Sequence, residues 1–188
     1  MQQLDLDTRV IDERLAAAKE ASYRLAGATT AEKDAALERV SQLLRERTPD
    51  IIAANRLDLD AGREAGLATG LLDRLALDER RIASLADAVH DVIALTDPVG
   101  ETVSGRTLPN GVRIDQVRVP LGVVGAIYEA RPNVTIDIAV LAVKSGNAVV
   151  LRGGTAAEQS NRVLRGVLRD ALDEVGLPGD AVQTVDDF

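Results

Sequence analysis

Residues 119–155, VPLGVVGAIYEARPNVTIDIAVLAVKSGNAVVLRGGT, decide the fold of this 188-residue chain. The run 122–127 is short, apolar and rich in β-branched residues, which predicts a strand covered on both faces, as in a parallel sheet. Residues 134–143 are apolar on nearly every side and predict a buried helix that ends at the Ser-Gly-Asn of residues 145–147. The apolar run 148–151 predicts the next buried strand. This order of elements indicates an α/β protein.

The last part of the chain continues the same pattern. Residues 155–175 predict a helix, opened by a capping box of Thr155 and Glu158 and closed by Gly176. Residues 182–185 predict a third strand. Two right-handed β-α-β crossovers would join the three strands into one parallel sheet. We expect that sheet to be incomplete, because the chain stops straight after its third strand.

The first hundred residues read as helices. Their start signals are a capping box (Thr29, Glu32), an N-cap followed by proline (Thr48, Pro49) and an N-cap aspartate (Asp78). The third of these helices would run through Ile51, Ile52 and Leu57, and short turns of helix are expected in residues 62–77. Asp97 and Pro98 would stop the last helix.

The hydrophobic period changes after residue 100. Residues 101–107 and 112–119 are candidate strands around Pro109-Asn110-Gly111, a strong signal for a hairpin turn. The imperfect alternation of the second strand indicates a bulge. An antiparallel hairpin placed before a parallel-sheet pattern suggests an arm, and its exposed edge would favour pairing with another chain.

Composition narrows the class of partner and the cellular compartment. The net charge of −8 argues against nucleic acid and anionic membranes. The polar amino terminus lacks a signal-peptide core and no run approaches a membrane span, so we expect a cytoplasmic protein. The chain has no cysteine, which excludes disulfides and thiol nucleophiles within it. The carboxylates show no spacing that suggests a metal site.

The first candidate site is the turn Arg152-Gly153-Gly154-Thr155, which joins a strand to a helix. Glycines let backbone amides turn toward a ligand, a helix N-terminus favours an anion, and Arg152 adds a positive charge. The other interpretation is an ordinary tight turn with a surface arginine. Neither of the standard nucleotide-binding motifs, G-x-G-x-x-G or Walker A, is present.

The second candidate site is the loop 128–133 at the carboxyl end of the preceding strand. Because parallel strands end at the same edge of a sheet, its polar groups could converge with Arg152. Asn133 could be the N-cap of the buried helix, or its amide could donate to a developing oxyanion. Tyr128 and Arg131 either line the pocket or cover the end of the sheet.

The motifs VPLGVVGAIYEARPNVT and KSGNAVVLRGG resemble the gamma-glutamyl phosphate reductase family of the aldehyde dehydrogenase superfamily. Weaker similarity runs through ASYRLA, LLDRLAL, DPVG and GLPGDAVQ, so the resemblance covers essentially the whole chain, but only the amino-terminal portion of those enzymes. It implies the aldehyde dehydrogenase fold, here an incomplete parallel Rossmann-like sheet preceded by helices and a β-hairpin arm. The implied division is a helical part of the cofactor-binding domain (1–100), an oligomerisation arm (101–119) and the first βαβαβ portion of that domain (120–188), with the catalytic domain absent.

The resemblance also implies an activity and a set of residues. Members of the family reduce L-glutamyl 5-phosphate to L-glutamate 5-semialdehyde with NADPH in proline biosynthesis, through a cysteine thiolate and hydride transfer. By similarity, Asn133 would match the oxyanion donor, and Arg152 would stand where relatives have a lysine on the adenosine ribose. A neutral Thr155 would tolerate the 2′-phosphate of NADP. The implied cofactor-binding residues are Ile127, Tyr128, Arg131, Pro132, Asn133, Arg152, Gly153, Gly154 and Thr155.

One departure from the family bears on activity. Its catalytic cysteine lies in the second half of the enzyme, and this chain has none, so we expect the chain to be inactive alone. The parent would act on glutamyl 5-phosphate as a homo-oligomer joined through the hairpin. Two other interpretations stay open: a non-enzymatic nucleotide- or phosphate-binding module, and a helical interaction protein whose hairpin recruits a partner.

Overall fold

The computed structural model describes residues 2–185, with side chains from Arg9 onward. The helices of this part are α1 (Gln2–Ala26), α2 (Thr30–Glu46), α3 (Thr48–Glu64), α4 (Thr69–Leu75), α5 (Glu79–Ile93), α6 (Asn133–Lys144) and α7 (Glu158–Glu174). The strands are β1 (Thr102–Thr107), β2 (Arg113–Val117), β3 (Val123–Ile127), β4 (Ala148–Arg152) and β5 (Val182–Thr184). Short 3₁₀ turns cover Thr155–Ala157 and Gly179–Ala181. Within these residues, no helix combines the length and the apolar composition that crossing a membrane requires.

Three strands form a parallel sheet in the order β3-β4-β5, as the crossover pattern predicts. The first four residues of β4 are buried, because α1 and α6 both pack against it. Helix α2 contacts α5, α6 and α7, so the aliphatic core runs without a break from the helical first hundred residues into the sheet. The sheet and the helices before it therefore share one core.

The expectation that β3 is covered on both faces is wrong for the described chain. Strand β3 pairs only with β4, so it lies at the edge of the sheet. Ile127 at its carboxyl end is 80% exposed, and Leu121 just before it is 85% exposed. A buried strand sequence at an open edge means that apolar surface is left uncovered here.

The observed helix starts agree with the predicted caps only where the capping side chain lies next to the helix start in the sequence. The capping box of Thr29 and Glu32 is present, and the Asp78 carboxylate accepts from the Arg81 amide. Thr48 is not an N-cap: Arg47 takes that position, and the Thr48 hydroxyl donates to the carbonyl of the preceding helix. The capping box predicted at Thr155 is also wrong, because a 3₁₀ turn occupies this place and the helix starts later.

The helical part differs from the prediction in its bounds. Helix α3 presents Ile51, Ala54 and Asn55 to the interior, and Leu57 is 61% exposed. The last helix of this part ends at Ile93, four residues before Asp97. Between residues 62 and 77, α3 runs on to Glu64 and only α4 is a short helix.

The hairpin β1-β2 is antiparallel, and the register shifts between Thr102 and Ser104. The predicted bulge is therefore confirmed. Every residue of both strands is exposed. Gly111 in the connecting turn has a φ of 86°, a left-handed conformation that favours glycine. In this chain the hairpin stands away from the core.

Candidate functional site at the carboxyl ends of β3 and β4

The carboxyl ends of β3 and β4 lie side by side. Ile127 pairs in register with Arg152, and the Tyr128 amide donates to the Arg152 carbonyl oxygen at 3.0 Å. The structure thus brings the loop after β3 against the turn after β4, at the edge where open α/β sheets bind ligands.

Both glycines of the turn lie close to neighbouring atoms, and at Gly153 there is no room for a side chain. A Cβ atom on Gly153 would collide with the side-chain amide of Asn161 and lie 3.3 Å from the Tyr128 ring. A Cβ on Gly154 would lie 3.4 Å from the backbone of Glu129 and Ala130. The turn is therefore packed tightly onto the neighbouring loop.

A buried hydrogen-bond chain holds this packing. The Thr135 hydroxyl donates to Asn161 Oδ1 at 2.8 Å and lies 2.6 Å from the Tyr128 hydroxyl. Because the single hydroxyl proton of Thr135 is donated to Asn161, the Tyr128 hydroxyl is the donor to Thr135. The hydroxyl of Tyr128 is thus engaged inside the fold, which leaves its ring as the part that can touch a ligand.

At the start of α6 the structure separates the two interpretations of Asn133. Pro132 is buried and takes the N-cap position, and Asn133 is the first helical residue, so the capping role is wrong. The Asn133 amide donates to Asp137 Oδ2 at 3.0 Å. Burial raises the pKa of the Asp137 carboxyl, and the hydrogen bond from Asn133 offsets part of that rise.

The N-terminus of α7 is occupied by a carboxylate from α3. Asp58 accepts from the amides of Gln159 (3.0 Å) and Ser160 (2.8 Å), and from the Ser160 hydroxyl (2.6 Å). Sequence reasoning missed this residue, because nothing near Asp58 marks a partner about a hundred positions away. The nearby Glu158 does not fold back to cap the helix and pairs with Arg162 instead.

Asn55, one turn before Asp58 on α3, extends the same network. Its amide nitrogen donates to the Leu75 carbonyl (2.8 Å) and to the Ser160 hydroxyl (3.0 Å). Its carbonyl oxygen accepts from the Leu77 amide at 2.7 Å. Asn55 therefore fixes the connection between α4 and α5 relative to α7.

A groove of about 750 Å³ lies between that α4–α5 connection and the start of α6. We call it the arginine groove; its charged and amide-bearing lining residues include Arg74, Arg80, Arg81, Arg131, Asn133 and Asp137. Of the predicted site residues, Arg131 and Asn133 line it, whereas the turn 152–155 does not. The structure thus divides the predicted residues between two neighbouring places.

The chain matches the model of the aldehyde dehydrogenase family over residues 3–187. It belongs to the aldehyde dehydrogenase family. Gamma-glutamyl phosphate reductase of Leifsonia xyli is 62% identical to it across 95% of the chain, and that of Clavibacter michiganensis is 63% identical across 92%. The chain spans only 42% and 40% of the length of these relatives.

Solved structures of the aldehyde dehydrogenase family agree with this placement. Gamma-glutamyl phosphate reductase from Thermotoga maritima superposes with a TM-score of 0.91 at 42% identity, over 93% of this chain and 42% of that one. The Saccharomyces cerevisiae protein of the same name gives 0.87 at 31% identity, over 93% of this chain and 45% of that one. The predicted aldehyde dehydrogenase fold, with an incomplete Rossmann-like sheet, is confirmed.

Proposed function

We propose that this chain is the amino-terminal, cofactor-binding part of a cytoplasmic NADPH-dependent reductase that converts L-glutamyl 5-phosphate to L-glutamate 5-semialdehyde in proline biosynthesis. The observation that carries the proposal is the 62% identity, over nearly the whole chain, to a protein named gamma-glutamyl phosphate reductase. The high TM-score with the Thermotoga maritima protein of that name supports it.

The turn after β4 fits the adenosine end of NADP. Arg152 and Thr155 are exposed at the carboxyl end of β4, and a guanidinium beside a neutral hydroxyl suits a ribose 2′-phosphate. The pyrophosphate would lie elsewhere, because Asp58 already accepts from the first amides of α7. Gly153 and Gly154 contribute by letting the turn pack close to the loop after β3.

The loop after β3 fits the nicotinamide end. Ile127 offers an exposed apolar side chain, Tyr128 its ring, and Pro132 a rigid start for α6. The nicotinamide supplies the hydride that reduces the acyl carbon. Asn133 would donate an amide hydrogen to the oxygen of that carbon, in place of its present bond to Asp137.

The nucleophile must come from outside these residues. The 188 residues contain no cysteine, so in our proposal a thiolate in another part of the parent protein attacks the acyl carbon, which forms a thioester and releases inorganic phosphate. Reduction by hydride then breaks the C–S bond and releases the thiolate. Residues 1–100 and 120–188 would together form part of the cofactor domain. The hairpin 101–119 would join protomers of the parent, and its full exposure in this chain is compatible with that role.

The test is an assay of the complete protein encoded by the reading frame that contains this segment. In the reverse direction, the semialdehyde, inorganic phosphate and NADP should yield glutamyl phosphate and NADPH, followed by absorbance. The 188-residue chain alone should give no turnover. A complete protein without this activity would contradict the proposal, and a preference for NAD would contradict the assignment of NADP.

A further inference from the structure

The arginine groove carries unpaired positive charge in a chain whose net charge is negative. Among the described residues, the side chains of Arg74, Arg80 and Arg131 form no hydrogen bond or ion pair. Arg81 is different, because its guanidinium donates to the Asp73 carboxylate at 2.7 Å and to the Ala76 carbonyl at 2.9 Å. Three guanidinium groups thus face one groove without a partner from the fold.

The carboxylates of the groove, Asp73, Asp78 and Asp137, form no ion pair with these three arginines, and the lining keeps a small positive charge because it holds four guanidinium groups. Asp73 pairs with Arg81, and Asp78 accepts from the Arg81 backbone amide as the N-cap of α5. Asp137 accepts from Asn133. Each acidic group is therefore engaged with a neighbour of its own, and the unpaired arginines can bind an anion from solution.

The position of the groove indicates which anion it would take. In the proposed function, the adenosine end of the cofactor lies at Arg152 and the nicotinamide at the loop after β3. The arginine groove is lined by Arg131 and Asn133 and by residues of α4 and α5, and not by the turn 152–155. It therefore lies on the nicotinamide side, and its volume suits a small molecule.

We propose that Arg74 and Arg80 bind the carboxylate at the amino-acid end of the substrate and thereby select an acyl phosphate that carries this carboxylate over one that lacks it. This inference rests on the proposed function. Arg131 is two residues from Asn133 and hence nearer the reacting carbonyl. We therefore assign the far end of the substrate to Arg74 of α4 and Arg80 of α5. A guanidinium matches a carboxylate with two parallel hydrogen bonds.

The experiment uses the complete protein and the double variant Arg74→Ala/Arg80→Ala. Both side chains are exposed and unpaired in the fold, so their removal should leave folding intact. In the reverse assay, the KM for the semialdehyde should rise at least about tenfold, with the KM values for NADP and phosphate changed less than about twofold. The matched control is Arg56→Ala, which removes an exposed, unpaired arginine outside the groove.

Two further measurements distinguish the loss of carboxylate recognition from a general loss of activity. The ratio of kcat/KM for the semialdehyde to that for pentanal, an uncharged aldehyde of the same length, should fall at least about tenfold in the double variant. The variant Arg74→Lys/Arg80→Lys should recover part of the semialdehyde KM, because it keeps the charge but loses the planar fork.

Each of the remaining outcomes would contradict the inference. If the wild-type protein turns over and the semialdehyde KM of the double variant equals that of the Arg56 control, the inference is wrong and the proposed function stands. A rise confined to the KM for NADP would assign the groove to the cofactor, and one confined to phosphate would assign it to the phosphoryl group. If the wild-type protein does not turn over at all, the proposed function fails, and the inference fails with it.

Discussion

Two helices begin at the same edge of the sheet, and their N-termini differ. Helix α6 starts after Pro132 without a side-chain cap, beside the arginine groove. Helix α7 starts after a 3₁₀ turn, and the buried Asp58 caps it with three hydrogen bonds. The comparison teaches that a helix N-terminus is an anion site only when the fold has not already placed a carboxylate there.

Removing the cap of α7 should have the largest effect on stability and tests this comparison most strongly. Asp58→Ala leaves two backbone amides at a buried helix start without an acceptor, so the free energy of unfolding should fall by about 2–4 kcal/mol. Urea denaturation of the chain measures this loss. The control Asp60→Ala removes an exposed carboxylate of the same helix and should cost about 0–0.5 kcal/mol. Equal losses in the two variants would show that the cap does not stabilise α7.

A second variant tests the tight packing of the turn before α7. Gly153→Ala should destabilise the chain by about 1–3 kcal/mol, because the new methyl group must displace Asn161 from the buried chain of hydrogen bonds. The control is Gly125→Ala on β3, where no atom lies within 4 Å of the new Cβ. Thermal unfolding of both variants measures the difference, and a Gly153→Ala protein as stable as the control would contradict the packing.

The start of α6 can be examined through the pH dependence of stability. Burial raises the pKa of Asp137 in the folded state. The protonated Asp137 carboxyl therefore contributes to the free energy of unfolding fully below the pKa of the unfolded chain, and this contribution is lost as pH rises through the folded pKa. Asp137→Asn keeps an acceptor for Asn133 and does not ionise. The stability of the variant relative to the wild type should therefore increase between about pH 3 and pH 7. A constant difference in denaturation midpoints across this range would contradict the raised pKa.

The local capping box of α2 should give the smallest effect, with the opposite sign. The Thr29 backbone amide, followed by Arg24, lowers the pKa of Glu32 to about 2. A lowered pKa stabilises the fold above the unfolded value of 4.5, and this contribution is lost as pH falls toward 2. Glu32→Gln should flatten the acid side of the stability profile slightly, since the group is exposed. An unchanged slope in acid would argue against this capping box.

These helix starts also show which features could be predicted from the sequence. The partners of the α2 capping box, Thr29 and Glu32, lie three residues apart, so the sequence displays both. The same pattern at Thr155 and Glu158 gave a wrong prediction, because the side chain that caps α7 is Asp58, which lies 101 positions before Gln159. The strand-helix-strand pattern predicted the sheet, since its hydrophobic period is local.

The exposure of β3 and the arginine groove depend on tertiary neighbours. The sequence of β3 matches a buried strand, but the burial of its side chains depends on which elements pack on the two faces of the sheet. No motif in the sequence marks Arg74 and Arg80, and only the fold brings them to the same groove as Asn133. Asn55 holds the connection between those two arginines, through contacts that no spacing in the sequence reveals.

A crystal structure of the complete protein with NADP tests the central claim most directly. We predict that the adenosine ribose lies beside Arg152, that Asp58 still accepts from the amides of Gln159 and Ser160, and that Arg74 and Arg80 stay clear of the cofactor. A cofactor phosphate bound to those two amides in place of Asp58, or lying among Arg74 and Arg80, would contradict the account.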